Sequence, residues 1–398
     1  CYYFTTFRKI PDYFMFKRPI KYKTVNNSYL YLPLLVLICA LFSVFLVYNA
    51  SSIYAYNNFG NSYYFLINQT IWFTISILLF LLIQRINVFN IEKYSNFIFF
   101  ISIFLLVLVL LPLPFSVDVY GAKRWVLINP EGVLPAIPYL GRLTLQPSEF
   151  FKLALCLFFP KILLSNLHLG EKRIFIKSLF YILVPAILIL VEPDLKDFFI
   201  VLIVGLAMLF VSNIHIKYFL SGIPIIVFIV ILLVILAPYR FERLKTYLGG
   251  GSDLGSSYHI KQINIALGSG GLFGLGIGKS IQKNEYLPEV MGDSIFAIFG
   301  EEFGYFGSVF LIVILFSVLV TLYKISANMK NIYYKLFSVG IFTWFAVQSL
   351  TNLSSISGII PLTGAPLPLI SYGGSSLIFT IVGLSLVYRF STEDKKRL

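Results

Sequence analysis

Charge is scarce in this chain. Asp, Glu, Lys and Arg make up 12% of its 398 residues, against 58% hydrophobic residues, and the mean hydropathy is +0.85. Soluble globular domains carry roughly 25% charged residues, so a wholly water-facing surface is excluded. Cysteine is as rare: of three, Cys39 and Cys156 fall inside apolar runs, which rules out a disulfide framework. Nor do the cysteines and the three histidines (His168, His215 and His259) make a metal-ligand spacing,. The start lacks the look of a cleaved secretory signal, because the first apolar run is long and follows a basic segment. Internal and inverted repeats are absent, which removes the sequence argument for an alternating-access transporter.

What is present is a succession of apolar runs near bilayer-spanning length. They predict an all-α polytopic membrane protein with ten transmembrane helices at about 30–50, 65–84, 95–115, 149–166, 174–191, 197–212, 217–238, 294–322, 333–353 and 367–390. Residues 1–29 then form a basic cytoplasmic segment, 30–390 a single membrane domain and 391–398 a cytoplasmic tail. An even number of spans places both termini on one side. Most Lys and Arg residues, among them Arg8, Lys17, Arg85, Lys172, Lys330 and Lys396, fall on the N-terminal side. Most Asp and Glu residues fall on the other, and cationic loops resist translocation, so both termini are assigned to the cytoplasm. The net charge of +13 sits mainly in these short inner segments. Anionic membrane lipids account for it, with no need of nucleic acid.

The outer loops are unequal: 116–148, 239–293 and 354–366 are long or rich in Gly, Pro and Ser, and long ordered loops usually carry function. In the first, "GAKRWV" (Gly121 to Val126) precedes "LQPSEFFK" (Leu145 to Lys152). Pro147 suits the first turn of a helix, and Glu149 and Lys152 then share one face, three residues apart. They make either an interfacial ion pair with Trp125 as a headgroup anchor, or a site where Lys123, Arg124 and Lys152 receive the phosphates of an anionic lipid-linked ligand. "VEPDLKDF" (Val191 to Phe198) is expected to be a solvated turn between two spans. Within 240–302 lie "YLGGGSDLGSSYHIKQ", "ALGSGGLFGLGIGKS" and "YLPEVMGDSIFAIFGEE". Their glycines permit either an anion-binding nest or tight turns. Asp253, with Arg243 and Lys261 near in sequence, fits a base that takes a hydroxyl proton while cations hold a phosphate leaving group. Asp293, Glu301 and Glu302 fall just before or within the predicted eighth span and require partners there. Gln348 and Asn352, at i and i+4, share a helix face that should meet a polar interior. After them comes "GIIPLTGAPLPLISYGGSSLI", which includes Ser371.

In this order the motifs resemble those of the SEDS proteins of bacterial shape, elongation, division and sporulation, the FtsW/RodA/SpoVE family, from about Gly121 to Leu386. The resemblance implies a ten-span peptidoglycan glycosyltransferase of the bacterial plasma membrane. Such an enzyme polymerises lipid II into glycan strands on the outer face beside a cognate class B penicillin-binding transpeptidase. It carries the essential loop carboxylate onto Asp253, although "SDLGSSY" is one residue shorter than the family pattern and has Ser257 for its last Gly. It carries the phosphate-binding positions onto Arg124, Glu149 and Lys152, with Lys123 and Arg243 as further cations and Glu289, Asp293, Gln348, Asn352 and Ser371 as polar support. "EPDLKD" departs from the family at Lys196 and Asp197. No resident metal is implied; a divalent cation beside the pyrophosphate is an open option. A lipid II flippase is the alternative activity, and a non-catalytic scaffold for the transpeptidase a third reading.

Overall fold

A computed structural model describes residues 27–111, 116–119, 122–129, 143–212, 214–222, 224, 245, 247, 254–284 and 286–396 of the protein. Apolar runs uninterrupted by turn residues fold as α1 (Tyr31–Phe59), α2 (Tyr64–Arg85), α3 (Val88–Leu110), α4 (Pro147–Ser165), α5 (Glu171–Val191), α6 (Leu195–Val211), α7 (Leu254–Ser269), α8 (Ile295–Asn328), α9 (Ile332–Ile356) and α10 (Gly374–Lys396). Local chemistry sets several ends. Gly60, in the left-handed region, closes α1, the Asn87 side chain caps α3, and Asn331 accepts from the amides of Tyr333 and Tyr334 to open α9,. Pro147 stands in the first turn of α4, as its spacing predicts.

Among the described residues, seven helices are long and apolar enough to cross a membrane. α4 and α6 are not among them: α4 carries Glu149, Lys152 and Lys161, and α6 has 17 residues. Both are interior helices. α4 is buried along most of its length and packs against α3, α6, α9 and α10. At the α9 crossing Gly340 leaves room for the thiol of Cys156 and the thioether of Met208, which a Cβ would meet at 2.8 and 2.9 Å. Exposed apolar side chains such as Leu41, Leu78, Phe97, Phe104, Phe180, Phe310 and Phe316 form an outer wall suited to lipid.

The described helices coincide with every predicted span but one: most of 217–238 lies outside the described residues. Other expectations change. The last helix begins at Gly374 rather than 367, because Pro366, Pro368 and the left-handed Leu369 (φ 63°) hold the chain in an irregular connection. The 116–148 loop, read from the sequence as a long loop of an all-α protein, contains an antiparallel sheet of β1 (Ser116–Val119), β2 (Ala122–Leu127) and β3 (Thr144–Leu145) in that order. β2 pairs Trp125 with Val117 and Val126 with Leu145. α7 is a helix of the large outer loop that hydropathy did not single out.

α8 is broken at Gly304, whose φ of 67° and ψ of −163° are non-helical. The glycine-rich segment before it lies in the break. Leu275 and Gly276 donate their amides to the carbonyls of Glu301 and Glu302, both at 3.0 Å, while Tyr305 and Phe306 donate to the carbonyls of Gly271 and Leu272 at 2.9 and 3.2 Å. A Cβ on Gly304 would lie 2.3 Å from the backbone nitrogen of Gly274. At 270–276 the glycines serve a close approach of two backbone segments.

Candidate functional site

β2 brings its basic residues to the N-terminal end of α4. Ala122 and Val126 are buried, so the two-residue period of a strand turns Arg124 inward with them and Lys123 and Trp125 to the opposite face. Arg124 spans the link between α5 and α6: its Nε donates to the carbonyl of Glu192 at 3.3 Å and its Nη2 to that of Pro193 at 2.6 Å. Three of its five N–H groups are left over from these bonds. Arg124 therefore both shapes the acidic link and retains donors for a ligand.

That link is not the solvated turn the sequence suggested. Glu192, Asp194 and Asp197 are 1%, 2% and 1% exposed. Asp194 caps α6 by accepting from the Asp197 amide at 3.2 Å, and Gln146, just before α4, donates to Asp194 and Asp197 at 3.3 and 3.4 Å. Neither carboxylate oxygen of Glu192 has a hydrogen-bond partner among the described residues. Burial, reinforced by Asp194 and Asp197 and opposed by Arg124, pushes Glu192 up to about 9, which keeps a proton on it at neutral pH. Burial and Asp197 raise Asp194 as well.

Beneath the link lies Lys152. Its Nζ is 2.8 Å from Glu149 Oε1, 3.0 Å from Asp197 Oδ1 and 3.2 Å from Gln348 Oε1, and 5.0 Å from the centroid of the Trp344 ring. Ser148 Oγ donates to Asp197 Oδ2 at 2.6 Å. The expected pair of Glu149 and Lys152 is thus present, but it is buried within the protein and not open to a phosphate. Lys152 is 1% exposed, and three acceptors take its three N–H donors. This corrects its sequence reading: Lys152 fastens α4, α6 and α9 together. Asp197, where the chain departs from the family motif, is an essential member of the cluster.

Gln348 and Asn352 do share a polar, buried face, and both hold the 354–366 loop. Gln348 accepts from Trp344 Nε1 at 2.7 Å and donates to the Pro366 carbonyl at 3.1 Å. Asn352 Nδ2 donates to the carbonyls of Ala365 at 2.7 Å and Asp293 at 2.9 Å. Ser371 accepts from the Leu367 amide at 2.8 Å, which makes it a local cap of the same loop. Lys196 reaches the Gly364 carbonyl at 3.0 Å. Glu289, at a φ of 50°, is exposed and lies within electrostatic range of Asp293 and Lys196. Ser294, which precedes α8, bridges Asp293 Oδ1 at 3.4 Å and His259 Nε2 at 2.7 Å. The acidic link, the loop after α9 and the segment before α8 therefore meet in one polar shell.

Glu301 and Glu302 find their partners elsewhere. Glu302 pairs with Lys283 Nζ at 3.0 Å and receives Asn49 of α1. Glu301 receives the Ser280 hydroxyl and the amides of Ile281 and Gln282. Sequence reasoning passed over Asn49, although a polar residue in a long apolar span was the available signal. Trp344, His259 and Ser294 were also missed as members of the site.

Asp253 and Arg243 lie outside the described residues. α7 starts immediately after Asp253 and carries an open depression of about 400 Å³ lined by Ser257, Ile260, Lys261, Asn264 and Ile265. Among the described residues, no three His, Cys, Asp or Glu side chains gather where a metal ion could sit.

Residues 29–396 match the model of the FtsW/RodA/SpoVE family, described as cell cycle proteins. The chain is 34% identical over 391 residues to the probable peptidoglycan glycosyltransferase FtsW of Buchnera aphidicola subsp. Baizongia pistaciae, covering 95% of this chain and 96% of the relative. It is 34% identical to the stage V sporulation protein E of Bacillus subtilis over 377 residues, 92% and 97% of the two chains. Its fold is similar to a chain of a peptidoglycan synthase complex whose structure concerns the coordination of polymerization and crosslinking. The TM-score there is 0.72, at 25% identity over 91% of this chain and 97% of that one. It is also similar to the rod shape determining protein RodA of Thermus thermophilus, with a TM-score of 0.65 and 24% identity over 91% and 96%.

Proposed function

The chain belongs to the FtsW/RodA/SpoVE family of cell cycle proteins, and from that premise we propose that it is a multi-pass bacterial membrane glycosyltransferase that polymerises lipid II into peptidoglycan strands. The observation that carries this reading is the end-to-end match, 95% of this chain and 96% of the relative, to a probable peptidoglycan glycosyltransferase. The outer-face polar shell supports it, because its parts come from the loops in which the family motifs fall. The charge bias of the loops supports an orientation with that shell outside the plasma membrane.

In the proposed reaction Asp253 accepts the proton of the acceptor sugar's hydroxyl as the hydroxyl oxygen attacks the donor's anomeric carbon. The new glycosidic C–O bond forms as the bond from that carbon to the pyrophosphate oxygen breaks, and undecaprenyl pyrophosphate departs with the electron pair. A single displacement inverts the anomeric centre and needs one base, unlike the paired carboxylates of glycoside hydrolases. Lys123, Arg243 and the remaining donors of Arg124 neutralise the leaving group. Lys152 and Glu149 act from below by fixing the frame on which β2 and the acidic link rest. No step is routed through a divalent cation. The similarity to a chain of a synthase complex supports a class B penicillin-binding transpeptidase as the partner that crosslinks the product.

The test is glycan polymerisation from purified lipid II, with and without that partner. Asp253→Asn is expected to purify like the parent and bind lipid II while polymer formation falls by at least about 100-fold. Polymerisation by Asp253→Asn at the parental rate would overturn the assignment.

A further inference from the structure

We propose that His259 is a positioning residue of the glycosyl transfer, holding the helix that follows Asp253 against the start of α8 through Ser294 and Asp293; this rests on the polymerase reading above. α7 begins at Leu254, the next residue after Asp253, and His259 lies about 7.5 Å further along its axis. Its Nε2 is 2.7 Å from Ser294 Oγ. Ser294 is 0% exposed, and its hydroxyl donates to Asp293 Oδ1 at 3.4 Å. That direction requires the proton of His259 to sit on Nε2 and to be donated to Ser294.

Asp293 is itself anchored. Its carbonyl accepts from Asn352, whose amide also holds Ala365, and one helical turn earlier Gln348 holds Pro366 and accepts from Lys152. Contacts between named groups therefore run from the buried Lys152 cluster through α9 to Asp293, Ser294 and His259. Among the described side chains of α7, the buried apolar anchors Ile263 and Ala266 lie in its second half at 2% and 0% exposure. In the first half Ser257 and Tyr258 face outward, so the histidine fastens the part of the helix nearest Asp253. An imidazole suits this task, since its few rotamers give a rigid reach. Misplacing a reacting group by about 1 Å is enough to cost on the order of 100-fold in rate.

The experiment measures kcat and KM for lipid II with the full-length protein in detergent, its partner present, for the parent, His259→Ala, His259→Gln and Ser294→Ala. Elution profile and thermal midpoint check folding. His259→Ala and Ser294→Ala are expected to lower kcat about 10- to 100-fold with KM changed less than about threefold, because the contact orders a catalytic group without binding substrate. His259→Gln, which restores one N–H donor at similar reach, is expected within about threefold of the parental kcat. If His259→Ala does not fold, Ser294→Ala cuts the next link and the comparison with His259→Gln decides. Parental kcat in Ser294→Ala, an effect on KM alone, or His259→Gln as slow as the alanine variants each overturn the proposal. A parent chain that makes no polymer overturns the polymerase reading and this one with it; a working parent with indifferent variants overturns this one alone.

Discussion

Glu192 is the residue in which burial and charge are most at odds. Its carboxyl is 1% exposed, with both oxygens unpartnered among the described residues, and it is raised from an ordinary value near 4.5 to about 9. A folded-state value above the unfolded one means that folding takes up a proton. The resulting stabilisation is complete below about pH 4.5 and is lost as pH rises through about 9. Glu192→Gln keeps the shape and removes the titration. Thermal unfolding in detergent between pH 6 and 9.5 should show the parent's midpoint falling more steeply than the variant's; equal slopes would mean that Glu192 is already ionised in the fold. Little of this was legible in the sequence. A glutamate in "VEPDL" between two apolar runs looks like a turn acid in water, and only the return of β2 over that turn, from about seventy residues earlier, encloses it. Glu149 and Lys152 were readable as a pair because helical spacing is a local property. Their third partner, Asp197, comes from another helix, and no periodicity announces such a contact.

Among the elements, α8 departs furthest from its sequence expectation. The run from Ile295 to Asn328 reads as one long span, yet the chain turns left-handed at Gly304 and the strip 270–276 is laid into the opening. Gly304→Ala should be severely destabilising, because a non-glycine residue in that conformation costs about 1–3 kcal/mol and its Cβ would overlap the backbone of Leu272 and Gly274. The expected outcome is a thermal midpoint lower by several degrees, or loss of the monodisperse gel-filtration peak; an unchanged midpoint would show that the break can close. The glycines of "ALGSGGLFGLGIGKS" did announce unusual backbone. Their use was hidden because the facing carbonyls belong to Glu301 and Glu302, in a segment that scores as uninterrupted helix. Hydropathy likewise gave no hint of the three-strand sheet, whose strands are two to six residues long.

For the molecule as a whole, the order of spans and the bias of charge were readable because the bilayer imposes them on composition. That orientation is testable by cysteine labelling. Cys39 and Cys156 are buried, so with Cys1 replaced a cysteine at Lys261 should react with a membrane-impermeant maleimide in spheroplasts and one at Lys330 only after permeabilisation. The opposite pattern would invert the topology. A contact at the end opposite the polar shell limits how such a bundle can move. Asp394, near the close of α10, accepts the amides of Lys330 and Asn331 at 2.8 and 3.0 Å, just ahead of α9. The two helices are thus riveted at the base, while at the other end the irregular connection between them is held to α9 by Gln348 and Asn352. A rod of 23 residues is about 35 Å long, so pivoting by about 5° at that base sweeps its far end through about 3 Å. Angular play too small to disturb that base becomes, at the opposite end, a displacement as large as the hydrogen bonds that hold the connection there.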